Sequence, residues 1–258
     1  MAHNVSTPTP SILSKAFDVL NAFNSRNRVM SLRDLALASG LPKSTVHRLL
    51  ARLIELGAIE QEGAGYRIAL SMFQLGALPP EVDMRDRALP HLAALHRYTR
   101  QTVHFGVLRG TDVVYLEKVP VVRSVSVISE IGARLPAHCT AVGKTLLAYE
   151  DPEALRSQLD DPLPRLTPRS VGNVAALLAD LETIRHQGIA VEREEAQLGM
   201  TCFGAPVVVN GSTVAAVSAS FELGSPLPKD LSLALRKTAA GIAAAVKAQL
   251  GDSRSMVL

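Results

Sequence analysis

The sequence has 258 residues, of which 47% are hydrophobic and 20% are charged, a composition that excludes a disordered chain and is typical of a folded globular protein. This length favours two domains over one. The two cysteines, Cys139 and Cys202, lie too far apart in the sequence for a zinc-site spacing and are too few for a disulfide framework. We therefore expect a protein of the reducing cytoplasm without a bound metal.

The positive charge is concentrated near the amino terminus. Residues 1–80 hold eight Lys or Arg and five Asp or Glu, so their net charge of +3 equals that of the whole chain. A short basic segment is typical of a phosphate-binding surface, because each phosphate contact releases condensed counterions. Charge alone would also fit a solvated face. Residues 1–10 are polar, lack the apolar core of a secretory signal and are predicted to form a disordered tail.

Three helices are predicted in this basic segment. The first follows Ser11, and its apolar residues recur at helical spacing. A short second helix begins at Ser31 and Asp34, a pair that resembles a capping box, and Gly40 ends it. Pro42 then suits the first turn of a third helix.

Two helices joined by a tight glycine-containing turn form the helix-turn-helix pattern, whose second helix lies in the major groove of DNA. The outward positions of the third helix carry hydrogen-bond donors that suit phosphates and base acceptors, and no acidic residue precedes Glu55 in it. The predicted DNA contacts are Lys43, Ser44, Thr45, His47, Arg48 and Arg52. Residues 58–68 are predicted to be two strands around a glycine turn, which is the wing of a winged helix. The alternative is a small helical domain that contacts another protein.

The rest of the chain alternates between strand and helix patterns, which favours an antiparallel or mixed sheet covered by helices. Pro90 is expected to distort the first of these helices. Asn210 and Gly211 predict the turn of a hairpin, so the uncharged segment around them is not expected to span a membrane. The predicted helices are residues 85–100, 174–186 and 231–250, and the predicted strands are 102–108, 112–118, 125–129 and the hairpin 202–221.

Three groups of residues resemble the IclR-type family of bacterial transcriptional regulators. Residues 40–50, GLPKSTVHRLL, and the pair at 56–57 resemble its recognition helix. Residues 135–144, LPAHCTAVGK, resemble its most recognisable segment. The third group resembles the family's later signature and consists of Glu192, Glu195, Gly199, Cys202, Ala205 and Pro206. The resemblance covers almost the whole chain. Several motifs in the family's order are also more specific than any single motif.

The resemblance implies an α/β protein with an N-terminal winged helix-turn-helix domain and a C-terminal GAF-like effector-binding domain. The implied divisions are a winged helix-turn-helix domain at 11–78, a linker and connecting helix at 79–101, an effector-binding domain at 102–251 and a tail at 252–258. It also implies that a regulator of this kind senses small carboxylic acids, aromatic ones included.

The resemblance further implies the effector site, whose residues are the backbone of Ala141 and Val142 with Glu192, Cys202, Ser218 and Ser220. The residue types suit an acid, because amides at a helix start favour an anion and two serines two positions apart on a strand face the same side. Glu192 is suited to accept a hydrogen bond from a ligand hydroxyl. The structural alternative is that the serines bond neighbouring backbone and that Cys202 is a small core residue.

Residues 138–145 carry residue types that also occur in enzyme sites. Gly143 and Lys144 resemble the end of a P-loop, but His138 stands where a P-loop needs glycine. His138 and Cys139 suggest a base and a nucleophile, but neighbours in an extended segment point apart and no third group orients them. Lys144 is expected to be either an anion ligand or a partly exposed helix lysine, and Glu195 a surface or interface charge.

The sequence therefore predicts a ligand-responsive transcriptional regulator, not an enzyme. It is expected to bind double-stranded operator DNA as a homodimer or homotetramer, to sense a small organic acid, and to need no cofactor and no membrane. The alternatives are an effector-independent DNA-binding protein and an enzyme that uses His138 and Cys139.

Overall fold

The computed structural model describes residues 11–121 and 128–255, with side chains described up to residue 248. The predicted tail at residues 1–10 lies outside the described residues, as do residues 125–127 of one predicted strand. The chain divides between Pro79 and Pro80 into two compact units, which are described separately.

The amino-terminal unit is a helical bundle with a two-stranded wing. Its elements are α1 (Ile12–Leu20), α2 (Leu32–Ser39), α3 (Lys43–Glu55), β1 (Ile59–Glu62), β2 (Gly65–Ile68) and α4 (Ser71–Gly76). Apolar residues from α1, α2, α3 and β1 form one core, which includes Val19, Leu35, Val46, Leu50 and Ile59. The three predicted helices and the predicted wing are confirmed.

Local chemistry determines both the start of α2 and its turn into α3. The Ser31 hydroxyl accepts the backbone N–H of Asp34 at 3.2 Å and donates to its carboxylate at 2.7 Å, so the predicted cap is confirmed. Gly40 ends α2 at φ 67°, in the left-handed region that a residue with a Cβ rarely adopts. The chain can therefore turn sharply into α3, which gives the helix-turn-helix geometry.

The carboxy-terminal unit is a six-stranded antiparallel sheet with the strand order β5-β4-β3-β8-β7-β6. Its strands are β3 (Thr102–Arg109), β4 (Asp112–Val119), β5 (Arg134–Pro136), β6 (Ala190–Arg193), β7 (Met200–Val209) and β8 (Ser212–Glu222). Its helices are α5 (Glu81–Thr99), α6 (Ala141–Leu147), α7 (Pro152–Gln158), α8 (Val174–Gln187) and α9 (Leu231–Ser255). The predicted turn at Asn210 and Gly211 is confirmed, and both residues have positive φ.

The two faces of this sheet have different partners. Alternate residues of β3, such as Val103 and Phe105, belong to a core that includes Leu92 of α5 and Leu235 of α9. On the other face α6 packs against β3, β7 and β8. The intervening residue His104 therefore belongs to the α6 side.

Several boundaries differ from the prediction. Helix α5 runs from Glu81 to Thr99 and so begins before the predicted start at residue 85; Pro90 lies inside it and removes a single backbone donor. Ile128 and Ser129 lie outside any strand, and α9 extends to Ser255, into the segment predicted as a tail. The edge strand β5 was not predicted, because three residues are too short to show a period. Within the described residues, no helix combines the length and apolar composition needed to cross a bilayer.

Candidate functional sites

The six predicted DNA contacts lie on the surface of α3. Five of them are exposed and Thr45 is half-buried, whereas the opposite face of the helix buries Val46, Leu49, Leu50 and Leu53. This arrangement leaves a polar, basic helix face free for a partner.

Arg48 has no acidic group within ion-pair distance among the described residues, whereas Arg52 pairs with Glu55 at 2.5 Å. A groove of about 390 Å³ between α1 and α3 is lined by Lys15, Arg48 and Arg52. Lys15 was not among the predicted DNA contacts. Its position on the polar face of α1 was visible in the sequence, but its approach to α3 depends on the packing of the two helices.

The wing does not add positive charge. Arg67 on β2 forms ion pairs with Glu60 at 2.9 Å and with Glu62 at 3.2 Å, both on β1. The Leu70 backbone N–H and the Arg67 side chain hold the pKa of Glu60 below its usual value. The basic surface of this unit is therefore centred on α3 and α1.

The carboxy-terminal unit contains a cavity of about 30 Å³ on the α6 side of its sheet. All six predicted effector residues line it: Ala141, Val142, Glu192, Cys202, Ser218 and Ser220. Pockets for organic ligands typically have volumes on the order of 300–1,000 Å³. An acid of several carbon atoms can therefore enter only when lining side chains move.

Strand register brings the side chains of this set together. Glu192 on β6 pairs with Cys202 on β7, and Cys202 pairs with Ser220 on β8, so the three residues form one row across the sheet. Ser218 lies two positions along β8 from Ser220 and pairs with His104 on β3. The predicted common orientation of the two serines is consistent with this register.

The start of α6 lies against this row. The Thr140 hydroxyl accepts the amide of Gly143 at 2.9 Å. The amides of Ala141 and Val142, in the first turn of the helix, have no intrahelical acceptor. Gly204 allows this close approach, because a Cβ there would lie 2.7 Å from the carbonyl oxygen of Ala141. The helix start can sit beside the strands only while residue 204 has no side chain.

Glu192 presents one unpaired oxygen. Its side chain is fully buried, and Oε1 accepts the backbone N–H of Ala196 at 3.1 Å and that of Glu195. Its Oε2 has no hydrogen-bond partner among the described residues. Burial raises the pKa of Glu192. This oxygen is free to bond a polar group of a ligand.

The cavity lining also includes residues outside the predicted set, among them His104 and Ser129. His104 and Ser129 are buried and hydrogen-bonded to each other, with 2.6 Å between Nε2 and Oγ. The sequence did not predict them, because neither residue belongs to one of the three groups that resemble the family. The available signal was the strand alternation that places His104 on the polar side of β3.

The expectations for Lys144 and Glu195 were wrong. Lys144 is only 1% exposed, and its Nζ binds Asp180 at 2.7 Å and Glu195 at 2.6 Å. Burial disfavours its charge, but Glu195 and Asp180 outweigh burial and raise the pKa of Lys144. Lys144 is thus a buried cation that joins α6 to α8 and to the segment after β6.

The geometry at His138 and Cys139 does not form a nucleophile with its base. His138 Nε2 lies 2.8 Å from the carbonyl oxygen of Pro164, and the Cys139 thiol faces the same oxygen at 3.9 Å. Burial raises the pKa of Cys139 and lowers that of His138. Both shifts oppose a thiolate–imidazolium pair.

A winged helix-turn-helix with a basic recognition helix, followed by an α/β unit with a cavity lined in part by buried polar side chains, defines a two-domain transcriptional regulator. Residues 12–63 match the IclR helix-turn-helix domain, and residues 79–243 match the bacterial transcriptional regulator IclR C-terminal domain. The chain belongs to the IclR family.

Relatives of known role agree with this assignment. The HTH-type transcriptional regulator XynR of Escherichia coli is 34% identical over 208 residues, which cover 79% of this chain and 82% of XynR. The Pca regulon regulatory protein of Pseudomonas putida is 29% identical over 216 residues, covering 82% of this chain and 74% of that protein. Since these relatives are regulators, the prediction of a regulator and not an enzyme is confirmed.

Solved structures show the same architecture. An IclR homologue from Microbacterium hydrocarbonoxydans in complex with 4-hydroxybenzoate superposes with a TM-score of 0.80 at 27% identity, covering 92% of this chain and all of the other. The Thermotoga maritima IclR structure gives 0.73 at 27% identity, with coverage of 91% and 98%. The predicted fold class is confirmed.

Proposed function

We propose that this regulator responds to a small organic carboxylic acid that binds in the cavity beside α6. One observation carries the proposal: the six residues assigned to the effector from the sequence come from α6, β6, β7 and β8 and line a single cavity. The related structure that holds 4-hydroxybenzoate supports an acid, aromatic acids included.

The chemistry of the lining suits a carboxylate. The hydroxyls of Ser218 and Ser220 are donors, and the first-turn amides of α6 favour an anion. Glu192 does not favour an anion, because its carboxyl oxygens accept hydrogen bonds. It bonds a hydroxyl of the ligand. The pocket thereby distinguishes the carboxylate end of the ligand from its hydroxyl end.

The amino-terminal unit binds operator DNA through α3 and positions itself on phosphates through its basic residues. Two copies of α3 in a homodimer or homotetramer read the half-sites of a palindrome, whose centres lie about 34 Å apart or a multiple of that distance. The effector alters operator affinity by binding more tightly to one arrangement of the assembly than to another.

A thermal-shift screen of organic acids, followed by operator titration with each hit, tests this function. We expect at least one acid to stabilise the protein and to change operator affinity. Ser220→Ala should weaken binding of that acid and leave operator affinity unchanged. A protein that binds a specific operator with the same affinity in every acid would be an effector-independent regulator, and the proposal would be rejected.

A further inference from the structure

His104 lies at the centre of a hydrogen-bond chain in the cavity lining. Its Nε2 lies 2.6 Å from the Oγ of Ser129, and its Nδ1 lies 3.4 Å from the Oγ of Ser220. The Cys202 thiol donates to the same Ser220 oxygen at 3.1 Å. The side chain of Ser129 is 1% exposed, that of His104 3% and that of Ser220 2%. The chain joins two proposed effector residues to two residues outside that set.

The imidazole of His104 is neutral. Burial lowers the pKa of His104 to about 3, with a further contribution from the positive charge of Lys118. The Tyr115 ring packs against it with 5.3 Å between centroids. A neutral imidazole has one N–H donor and one acceptor nitrogen. His104 can therefore accept a hydrogen bond from only one of the two serine hydroxyls.

The two tautomers leave different donors in the cavity. With its proton on Nε2, His104 donates to Ser129 and accepts from Ser220, so the Ser129 hydroxyl proton is left for another acceptor. With its proton on Nδ1, His104 donates to Ser220 and accepts from Ser129, so the Ser220 proton is left. Each tautomer thus keeps one hydroxyl proton bonded to the ring and one available.

A carboxylate is the partner that this arrangement fits. An ionised carboxylate only accepts hydrogen bonds, and an available hydroxyl proton in a buried site needs an acceptor. The Ser129 hydroxyl is hydrogen-bonded to His104 among the described residues. Ser129 lines the same cavity as Ser220, so both hydroxyls are within the proposed effector site.

Building on the proposed function, we propose that Ser129 contacts the effector and that His104 is a positioning residue. The ring decides which serine, Ser129 or Ser220, donates a hydrogen bond to the carboxylate of the effector. The effector site thereby gains a contact on the segment before β5, outside the six residues assigned from the sequence.

Calorimetric titration of the full-length protein with pyruvate, benzoate and 4-hydroxybenzoate tests the contact. For an acid that binds, Ser129→Ala should raise Kd about ten- to a hundredfold, because a hydrogen bond to a charged group is lost. Ser157→Ala, an exposed serine of α7, is the matched control and should leave Kd unchanged. His104→Phe should weaken binding, and its effect should be smaller in the Ser129→Ala background than in the wild type, because part of it acts through Ser129.

Nitrogen NMR of the His104 ring adds a readout that a purely structural role would not move. The ring should stay neutral from pH 5 to 8, and the bound acid should change the balance between its two tautomers. The inference is overturned, with the proposed function intact, when Ser129→Ala binds like the wild type while Ser220→Ala binds weakly. It is also overturned when the ring titrates near pH 6.5 or its tautomer balance ignores the acid. A wild-type protein that binds none of these three acids and no acid of the thermal-shift screen overturns the proposed function and this inference together.

Discussion

Replacing Lys144 with methionine should destabilise the carboxy-terminal unit by about 3–5 kcal/mol, the cost expected for removing one partner of a buried ion pair. The side chain of Lys144 is 1% exposed and that of Glu195 is 10% exposed, so their contact is shielded from water. Asp180 is 35% exposed and its contribution is screened by solvent, so we place the loss near the lower end of this range. Methionine fills a similar volume, which makes the lost charge the main change.

The measurement is urea unfolding of the full chain followed by far-UV circular dichroism, since the sequence has no tryptophan. Lys229→Met removes an exposed lysine of the same unit and should change stability by less than about 0.5 kcal/mol. Because the folded-state pKa of Lys144 is raised, its contribution is complete below the ordinary lysine pKa and is lost only above it. The loss should therefore be equal at pH 6 and pH 9. A loss below about 1 kcal/mol would refute the role of the buried pair.

Four further outcomes are expected. Arg48→Ala should weaken operator binding by at least about tenfold with effector Kd unchanged, and equal operator affinity in a titration at fixed salt would contradict the assigned face of α3. Lys15→Gln should lower the salt dependence of DNA binding by about one phosphate contact, while Lys229→Gln should not; identical slopes would remove Lys15 from the interface. Gly204→Ala should destabilise the protein by about 1–3 kcal/mol, and an unchanged unfolding midpoint would show that α6 can shift away from β7. Because the pKa of His104 is depressed to about 3, the unfolded state binds more protons than the folded state between that value and pH 6.5. His104→Gln should therefore reduce the loss of stability on acidification. Parallel stability profiles of the wild type and the variant would contradict the neutrality of His104.

Most of the fold could be predicted because its determinants are local. The cap at Ser31, the left-handed Gly40 and the turn at Asn210 each act within a few residues. Helical spacing identified α1, α2 and α3 because each buries one face. The strand β6, of four residues, was not predicted, because its existence depends on pairing with β7 and not on its own pattern.

The candidate sites show a sharper limit. The burial of Lys144 depends on Asp180 and Glu195, which lie 36 and 51 residues away in the chain, so no local pattern could reveal it. The family resemblance implied the serine pair on β8, and alternation along one strand predicted only that the two serines face the same side. The addition of His104 required the register between β3 and β8, which is a property of the folded sheet.

If an acid binds as proposed, the small size of the cavity links that binding to a change in conformation. An acid that needs more room than about 30 Å³ binds only after lining side chains move, and the free energy of that opening is subtracted from its affinity. The acid then favours whichever arrangement of the regulator holds the pocket open. If that arrangement also differs in operator affinity, a typical coupling of about 1–3 kcal/mol changes it roughly 5- to 150-fold. Because such coupling is reciprocal, operator DNA must change the affinity for the acid by the same factor, so effector titrations with and without operator measure the coupling independently of any promoter assay.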